Sequence, residues 1–533
     1  MLKYRISGAV LYLLFLYSTV FAQVNPSETK KEIMLLQNEK WWGGAVVDGP
    51  KMPYNQDTFV YNQYANCKGN QSQPLFISNK GRFIWSEKPL NIEFSKGKIN
   101  VEASGAEVIS GKSGESLKAV YNYVSKRFFS ATGKTPDSLF FTNPQYNTWI
   151  ELQYNQNEKD ILKYAQAIVD NGFPTGVLMI DDNWQEYYGT WEFSGTRFQH
   201  PKAMVEKLHK MGFKVMLWIV PFVSSDSPNF RQLAANKSLI FADKEKTKPA
   251  IVEWWNGYSG LLDFSNPNAT TWLSSQLKNL VDKYGIDGFK VDGGNPKYYN
   301  GLYSLNDVIP NEQSELYAKI GLDFPLSEVK DTWKMAGLPI AQRLRDKFHT
   351  WDDLQLLIPD MIALGLIGHP FSCPDMIGGG DLVSFKDLSV LDEELVVRSA
   401  QVSAFMPMMQ FSAAPWRVLS KENLEICRKM AILHTKMGSE ILELAKQSAK
   451  TGEPILRNME YVFPRMGYEE IKDQYLIGDN ILVTPVTKKG LRAREVIFPK
   501  GKWKGDDGSI VIGPVKKNIE VPLERLAWYR KLN

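Results

Sequence analysis

The sequence predicts an α/β protein built on a (β/α)8 TIM barrel, with a β-sandwich domain before the barrel and an all-β domain after it. Three observations lead to this fold class. Strand–helix units repeat between residues 139 and 292, hydrophobic alternation at period two precedes them, and short strands separated by turns return after residue 451. The first pattern is typical of parallel α/β folds, and the other two are typical of antiparallel sheets.

The repeated unit is a short apolar strand followed by an amphipathic helix that ends near a glycine. Strands are expected at 148–152, 177–180, 214–219 and 288–291, and helices at 158–171, 202–211 and 268–284. Such alternation predicts parallel strands, and a doubly wound open sheet is the rival architecture. No G-x-G-x-x-G turn supports that rival. We therefore assign residues 137–450 to the barrel, with insertions at 187–197 and 223–260 on its catalytic face.

The flanking segments read as β-domains. A turn that contains Gly81 separates two apolar runs between Pro74 and Trp85, which predicts a hairpin. Residues 23–136 are therefore expected to form the β-sandwich. Residues 451–533 are expected to form the C-terminal β-domain.

The first 22 residues resemble a signal peptide. Lys3 and Arg5 precede an apolar run of about a dozen residues, and Val20 and Ala22 suit a cleavage site before Gln23. A secreted or periplasmic location is expected. No second apolar span follows, so no integral membrane segment is expected.

Composition excludes some partners and favours others. The net charge is +4, and the sequence contains no block of basic residues, which argues against nucleic acid as a partner. The 15 Trp and 23 Tyr suit sugar stacking, although core packing is the alternative. Three cysteines without metal spacing predict buried free thiols, and five histidines without an H-E-x-x-H pattern predict no metal or cofactor. The sequence carries no signal for a particular oligomeric state.

Carboxylates stand where predicted barrel strands end. Asp181 and Asp182 follow one strand, Asp292 follows another, and Asp375 comes later in the chain. Hydrolysis of an acetal needs one carboxylate at the anomeric carbon and a second carboxyl that protonates the leaving oxygen. The alternative for each aspartate is a helix N-cap. Several on one barrel face favour a catalytic site.

These segments resemble glycoside hydrolase family 31. The similarity lies in Ile180-Asp-Asp-Asn-Trp184, Val215–Phe222, Gly288-Phe-Lys-Val-Asp292, Trp351–Phe371 and Asp375-Met-Ile-Gly-Gly379, in the family's order. The last segment is similar to the family's D-I-G-G motif with one extra residue, Met376. The resemblance spans roughly residues 139–485 and implies a retaining α-glycosidase that needs no metal.

The resemblance assigns roles by position. Asp292 matches the catalytic nucleophile, and Asp346, five residues before Trp351, matches the acid/base. The usual G-D dipeptide is absent at Asp346, which leaves Asp331, Asp352 and Asp353 as alternatives for that role. Retention predicts carboxyl groups roughly 5–5.5 Å apart.

Further residues are expected to contact the sugar. Asp181 and Asp182 match the acidic pair of the glycone pocket, and Asp375 matches its floor. The other candidate substrate-binding residues are Trp184, Trp218, Trp254, Trp255, Asn256, Lys290 and Arg343. Trp416 is a further aromatic candidate, and the segment Trp41-Trp-Gly-Gly44 is a candidate N-terminal contribution. Core packing is the alternative for the tryptophans, and a surface position is the alternative for Arg343.

The motif combination is most similar to the α-galactosidase-like branch of the family. The expected function is therefore an exo-acting retaining α-galactosidase that acts on an oligosaccharide or glycoside. An α-glucosidase and a catalytically inactive sugar-binding homologue are the alternatives. A metal-dependent barrel hydrolase is disfavoured because the required His/Asp cluster is missing.

Overall fold

Eight short parallel strands form the centre of the molecule, in a computed structural model that describes residues 23–24, 29–55 and 58–532. The predicted signal peptide at 1–22 lies outside the described residues. We number the barrel strands in chain order as β1 Gln145–Asn147, β2 Val177–Ile180, β3 Lys214–Ile219, β4 Gly288–Val291, β5 Leu326–Val329, β6 Ala341–Arg343, β7 Ser372–Cys373 and β8 Gln410–Phe411. Each strand pairs with its successor from β1 to β7, and β8 pairs with β1.

The barrel is almost closed. Among the described residues no strand ladder joins β7 to β8, but the Ile377 amide donates to the Gln410 carbonyl at 2.8 Å across that gap. Every residue of β2 and β4 is buried, because side chains fill the barrel on one face and helices cover the other. The predicted (β/α)8 architecture is confirmed.

Helices cover the barrel, and several of them begin at polar caps. The Asn157 side chain accepts from the Asp160 amide, and Gly285 ends its helix at φ +80°. The helices run over Leu117–Phe128, Leu139–Thr142, Trp149–Leu152, Glu158–Asp170, Pro201–Lys210, Pro228–Ala235, Pro267–Tyr284, Pro310–Lys319, Trp351–Leu366, Glu393–Ser403, Pro415–Val418, Lys421–Thr451 and Met459–Val462. Short 3-10 turns lie at Val46–Lys51, Pro296–Tyr299, Ile320–Asp323, Leu382–Phe385 and Leu388–Val390.

The first barrel strand differs from its prediction. The sequence predicts a strand at 148–152, but β1 ends at Asn147 and Trp149–Leu152 is a helical turn. The Asn147 side chain accepts from the Trp149 amide at 2.8 Å, which forms an Asx turn between the strand and the helical turn. The apolar residues of this segment suit one turn of helix as well as a short strand, and the Asx turn favours the end of the strand at Asn147.

Two antiparallel sheets precede the barrel. One contains Gln23–Val24, Trp41–Ala45, Gln71–Ser78, Arg82–Trp85 and Ile109–Lys112, and the other contains Lys30–Met34, Phe59–Asn62, Leu90–Ser95 and Lys98–Ala103. Aromatic rings pack between them, including Tyr54 against Phe94 at 5.3 Å. A strand from the barrel region, Thr332–Trp333, pairs in parallel with Gln71–Ser78. The first sheet therefore extends onto the barrel.

The C-terminal segment forms one antiparallel sheet. Its strands are Leu456–Arg457, Tyr475–Ile477, Ile481–Val483, Ala493–Gly505, Ile510–Glu520 and Trp528–Leu532. The predicted domain limits at 136/137 and 450/451 fall before the helix at Leu139 and inside the last turn of the helix that ends at Thr451. These limits stay predictions.

Hairpins inserted after barrel strands rise over the catalytic face. After β2 the strands Gln185–Tyr187 and Thr190–Phe193 pair, and after β3 the strands Phe222–Val223, Ile251–Trp254 and Gly257–Leu261 form a three-stranded sheet. They lie within or beside the insertions expected from the sequence. Both extend from the carboxyl end of their strand, where barrel enzymes place their sites.

Two further observations concern the described part of the chain. None of its helices is long and apolar enough to cross a membrane. Cys67, Cys373 and Cys427 are free and buried, as the sequence predicts.

Gly288 provides a test of the barrel packing. A Cβ added at this glycine of β4 would lie 1.5 Å from the Leu326 carbonyl oxygen of β5. We expect Gly288→Ala to lower the free energy of unfolding by about 3 kcal/mol, because the two strands would have to separate. Thermal melting measures it. Gly195→Ala, where a Cβ meets nothing within 4 Å, is the matched control. The same melting temperature for both variants would contradict the close packing of β4 against β5 at Gly288.

Candidate active site

A pocket of about 200 Å³ opens at the carboxyl ends of the barrel strands. The side chains that line it come from the ends of β3 and β4 and from the loops after β1 to β6, which is the arrangement expected of a barrel enzyme. They are Trp149, Asp181, Asp182, Trp218, Trp255, Lys290, Asp292, Lys330 and Asp346. The pocket therefore brings together both predicted catalytic aspartates and five of the predicted substrate-binding residues.

Asp292 follows the last residue of β4 and is almost wholly buried. Its Oδ1 lies 3.3 Å from Lys330 Nζ and accepts from the Gly293 amide, and its Oδ2 accepts from Trp218 Nε1 at 3.2 Å. Burial alone raises the pKa of Asp292, but the charges of Lys330 and Lys290 outweigh it, so the pKa lies below its ordinary value. The carboxylate is therefore ionised and held by three donors.

Asp346 lies in the loop after β6, and its side chain is 40% exposed at the pocket. Arg343 Nη1 donates to its Oδ1 at 2.9 Å, and Lys330 Nζ donates to its Oδ2 at 3.2 Å. Burial opposes ionisation, but Lys330 and Arg343 together hold the pKa of Asp346 well below its usual range. This carboxyl is also ionised in the unliganded protein.

Lys330 joins the two carboxylates, and sequence reasoning missed it. It directly follows Val329, the last residue of β5, and its ammonium contacts both Asp292 and Asp346. Burial lowers the pKa of Lys330, but the two carboxylates raise it above its ordinary value, so the ammonium keeps its charge. Its position after a strand could have drawn attention to it, but that signal alone does not separate it from other strand-end lysines.

The acidic pair after β2 is held from two sides. Asp181 Oδ2 accepts from Lys290 Nζ at 2.7 Å. Asp182 Oδ2 accepts from Asn256 Nδ2 at 2.6 Å, and Tyr188 donates to the same carboxyl at 3.2 Å. Burial and the Asp181 charge raise the pKa of Asp182 to about 7. At neutral pH Asp182 therefore exists in both forms and can accept from or donate to a hydroxyl group.

Two predicted substrate-binding residues lie behind the pocket. Arg343 is wholly buried, and its Nη1 joins Asp346 to Asp375 Oδ1 at 2.8 Å. Asp375 Oδ2 accepts from the Lys347 amide at 2.6 Å, and burial together with the Asp346 charge raises its pKa to about 7. Neither Arg343 nor Asp375 lines the pocket, and both position the Asp346 loop, so their expected sugar contacts stay predictions.

Of the four predicted substrate-binding tryptophans, two line the pocket and two lie behind it. Trp218 lies against Asp292, and Trp255 is 48% exposed at the pocket. Trp184 donates to the Trp218 carbonyl from the core, and Trp254 stacks on Phe222 at 4.2 Å. Neither Trp184 nor Trp254 lines the pocket, so both support it from behind and their expected sugar contacts stay predictions.

Other candidates lie farther away. Asn256 does not line the pocket but holds Asp182, as described above. Trp416 packs against Tyr164 and Phe173 beside the barrel. Trp41 packs between the N-terminal sheets and does not line the pocket. Trp149, which sequence reasoning assigned to a strand, lines the pocket because the chain turns at Asn147.

The alternative acid candidates do not line the pocket either. Asp352 and Asp353 stand in the first turn of the helix Trp351–Leu366, where Asp353 accepts from the Phe348 amide. Asp331 is buried beside Lys330, and burial raises its pKa to about 7 despite that charge. Among the described residues, no group of three or more His, Cys, Asp or Glu is placed to hold a metal ion.

Family models and known proteins match this chain. The model for the glycosyl hydrolases family 31 TIM-barrel domain matches residues 144–342 and 344–437, and that for the family's C-terminal domain matches 452–530. The "Myogenesis-regulating glycosidase" of Mus musculus is 32% identical over 413 residues, with 74% of this chain and 57% of that protein covered. "Alpha-xylosidase XylQ" of Lactiplantibacillus pentosus is 25% identical, covering 88% and 62%.

The chain spans about half of the length of the curated relatives it matches. Among solved structures, a Flavobacterium johnsoniae dextranase complexed with glucose superposes with a TM-score of 0.82 at 20% identity, covering 94% of this chain and 66% of that one. An alpha-xylosidase from a soil metagenome complexed with xylose superposes with a TM-score of 0.82 at 19% identity, covering 96% and 81%. These two likenesses concern the fold. By the family models, which cover more than half of its residues, the chain belongs to glycosyl hydrolase family 31.

Proposed function

We propose that this protein is an exo-acting retaining α-glycosidase that releases a terminal sugar through a covalent glycosyl-enzyme intermediate. The observation that carries the proposal is the single Lys330 ammonium that contacts Asp292 at 3.3 Å and Asp346 at 3.2 Å. Two carboxylates that share one ammonium are close together. Their closeness favours the retaining spacing of roughly 5–5.5 Å over the wider spacing of inverting enzymes.

The chemistry follows from the two positions. An Asp292 oxygen attacks the anomeric carbon while Asp346 gives a proton to the glycosidic oxygen, so the bond from that carbon to the aglycone breaks and a glycosyl ester forms. Asp346, now ionised, takes a proton from water. The water oxygen attacks the same carbon, and Asp292 leaves as a carboxylate. No other group needs to be bound for these steps to balance.

The size of the pocket supports exo action. A volume of about 200 Å³ is below the range of roughly 300–1,000 Å³ that holds drug-sized ligands, and it suits one sugar ring. Asp181, Asp182 and Lys290 supply acceptors and donors for its hydroxyl groups, and Trp149 and Trp255 supply apolar faces.

Lys330 sets the protonation states of the unliganded site. Both carboxylates are held ionised, which prepares Asp292 for attack but leaves Asp346 without the proton that it must donate. We infer that Lys330 moves away from Asp346 when a glycoside enters, because loss of one cationic neighbour raises the pKa of a carboxyl. Catalytic hydrogen bonds commonly reach their working geometry only in the substrate complex.

For the sugar, we propose galactose. The support is the similarity of the Ile-Asp-Asp, Glu-Trp-Trp-Asn-Gly and Pro-Asp-Met-Ile-Gly-Gly segments to the α-galactosidase-like branch. Glucose is the second candidate, because one relative is named "Alpha-glucosidase 2". An inactive sugar-binding homologue is disfavoured by the presence of both aspartates in the pocket. Export through residues 1–22 remains a proposal.

Azide chemistry tests the two catalytic assignments. In Asp346→Ala, azide should attack the glycosyl ester and release an α-glycosyl azide, while in Asp292→Ala it should displace the aglycone directly and give the β-azide. We expect Asp346→Ala to lose about 10²–10⁴-fold in rate on a disaccharide, and less on a p-nitrophenyl glycoside, whose phenolate leaves without a proton.

Product configuration is read by NMR. Asp331→Ala is the matched control, because it removes a neighbouring buried carboxyl that does not line the pocket. An α-azide from Asp331→Ala but not from Asp346→Ala would move the acid/base role to Asp331. Full hydrolysis by Asp292→Ala would remove the nucleophile assignment.

Chromogenic substrates test the sugar. We expect release of p-nitrophenol from the α-galactoside in the presence of EDTA, with slower release from the α-glucoside and α-xyloside, because the sugars differ at C4 and C5 where the pocket must discriminate. The ratio of kcat/KM values is the measurement. A higher value for the α-glucoside would select the second candidate, and hydrolysis that EDTA abolishes would overturn the metal-free mechanism.

The pH profile tests Lys330. Lys330→Met removes the cation shared by Asp292 and Asp346, so both carboxyl pKa values should rise. The acid limb of kcat/KM, which reports ionised Asp292, and the alkaline limb, which reports protonated Asp346, should both move to higher pH by about one unit or more. Lys334→Met, whose lysine pairs with Glu87, is the control. If neither limb of the pH profile moved in Lys330→Met, Lys330 would not control the pKa values of Asp292 and Asp346.

A further inference from the structure

The N-terminal sheet is hydrogen-bonded to the segment that carries Lys330. Its strand Gln71–Ser78 pairs in parallel with Thr332–Trp333, with Gln71 opposite Thr332. Thr332 lies two residues after Lys330 in the chain. Gln71 therefore belongs to the N-terminal sheet and lies directly beside the barrel.

The side-chain amide of Gln71 binds two barrel strand ends at once. Its Nε2 donates to the Lys330 carbonyl at 2.6 Å and to the Arg343 carbonyl at 2.7 Å. Lys330 directly follows β5, and Arg343 is the last residue of β6. Gln71 is wholly buried, and a primary amide has two N–H donors, so one side chain satisfies both carbonyls.

These two carbonyls belong to the residues that hold Asp346. Arg343 Nη1 binds one oxygen of that carboxylate and Lys330 Nζ binds the other. The Gln71 amide therefore joins the main chains from which both cations extend, directly after the last residue pair of the β5–β6 ladder, Val329 and Gln342. A small shift between β5 and β6 would change both ion pairs together.

We propose that Gln71 is a positioning residue for the acid/base of the active site, supplied by the N-terminal domain. It acts through Lys330 and Arg343 and does not contact the sugar. The inference rests on the proposed function, in which Asp346 is the acid/base. Gln71 would influence the protonation state and the orientation of the Asp346 carboxyl.

A purely structural role is the competing explanation. Burial without a partner costs each carbonyl free energy, so loss of Gln71 also destabilises the joint between sheet and barrel. Two variants separate the explanations. Gln73→Met alters an equally buried amide on the same strand, and Asn311→Ala breaks a different joint, where Asn311 binds the Ala65 amide and the Gln63 carbonyl.

The test compares Gln71→Met with these controls in kcat, KM and the pH profile. The charged groups that face Asp346 are Lys330 and Asp331 after β5, Arg343 on β6, Lys290 and Asp292 on and after β4, and Asp375 after β7. Only Lys330 and Arg343 are bound by Gln71. We expect kcat of Gln71→Met to fall by about tenfold to a hundredfold with KM nearly unchanged, as for a misplacement near 1 Å. The alkaline limb should move upward, because both cations loosen from Asp346.

Asn311→Ala should melt earlier than the parent because it loses both of its hydrogen bonds, and both controls should keep the parent's pH profile and kcat. A Gln71→Met enzyme with the parent's kcat and alkaline limb would overturn the proposal, even if it melts early. If that variant does not fold, Gln71→Glu replaces it, since a protonated carboxyl donates only one hydrogen bond and an intermediate loss of kcat is then expected. Parent-like kcat and profile in Gln71→Glu would also overturn it.

A structure of the variant separates this inference from the proposed function. If the parent hydrolyses no α-glycoside, the proposed function fails. The positioning role is then read from the distance between Lys330 Nζ and Asp346 Oδ2, which is 3.2 Å in the parent. That distance should lengthen in Gln71→Met and stay the same in Gln73→Met. An unchanged distance in Gln71→Met would end the proposal.

Discussion

The ammonium of Lys330 lies between two carboxylates that would otherwise repel one another. Asp292 directly follows β4, and Asp346 lies in the loop after β6. Two carboxylates that both contact one ammonium are close enough for their repulsion to favour protonation of one of them. The positive charge of Lys330 offsets this repulsion and keeps both carboxylates ionised. Arg343 pairs with Asp346 from the buried side and adds to this effect. The rest of the site depends on this arrangement, because it fixes where each carboxylate points.

Support for the arrangement comes from outside the pocket. Asp375 and the Lys347 amide hold the loop of Asp346 from below, while the Gln71 amide binds the carbonyls of Lys330 and Arg343 from the N-terminal sheet. Buried charged groups of this kind are stable only when each has partners. The barrel thus supplies the strand ends, and a second domain contributes to their alignment.

The part of the pocket around Asp181 and Asp182 is built differently. Asp181 is neutralised by Lys290, whereas the donors to Asp182 are the neutral side chains of Asn256, Tyr188 and Gln185. Burial and the Asp181 charge raise the pKa of Asp182 to about 7. The insertion after β3 supplies Asn256 and the neighbouring Trp255. Variation in that insertion can therefore change the surroundings of Asp182 without moving the barrel strands.

The sequence by itself determined the barrel, the flanking sheets, and Asp292 and Asp346 as residues of one pocket, because strand–helix periodicity and short motifs are local in the chain. It did not separate Trp218 and Trp255, which line the pocket, from Trp184 and Trp254, which support it, since a buried ring and a sugar-stacking ring have the same local pattern. Lys330, Trp149 and Gln71 appeared only in the tertiary structure. Their roles arise from contacts between segments far apart in the chain, and the barrel closure that sets those contacts has no local signature.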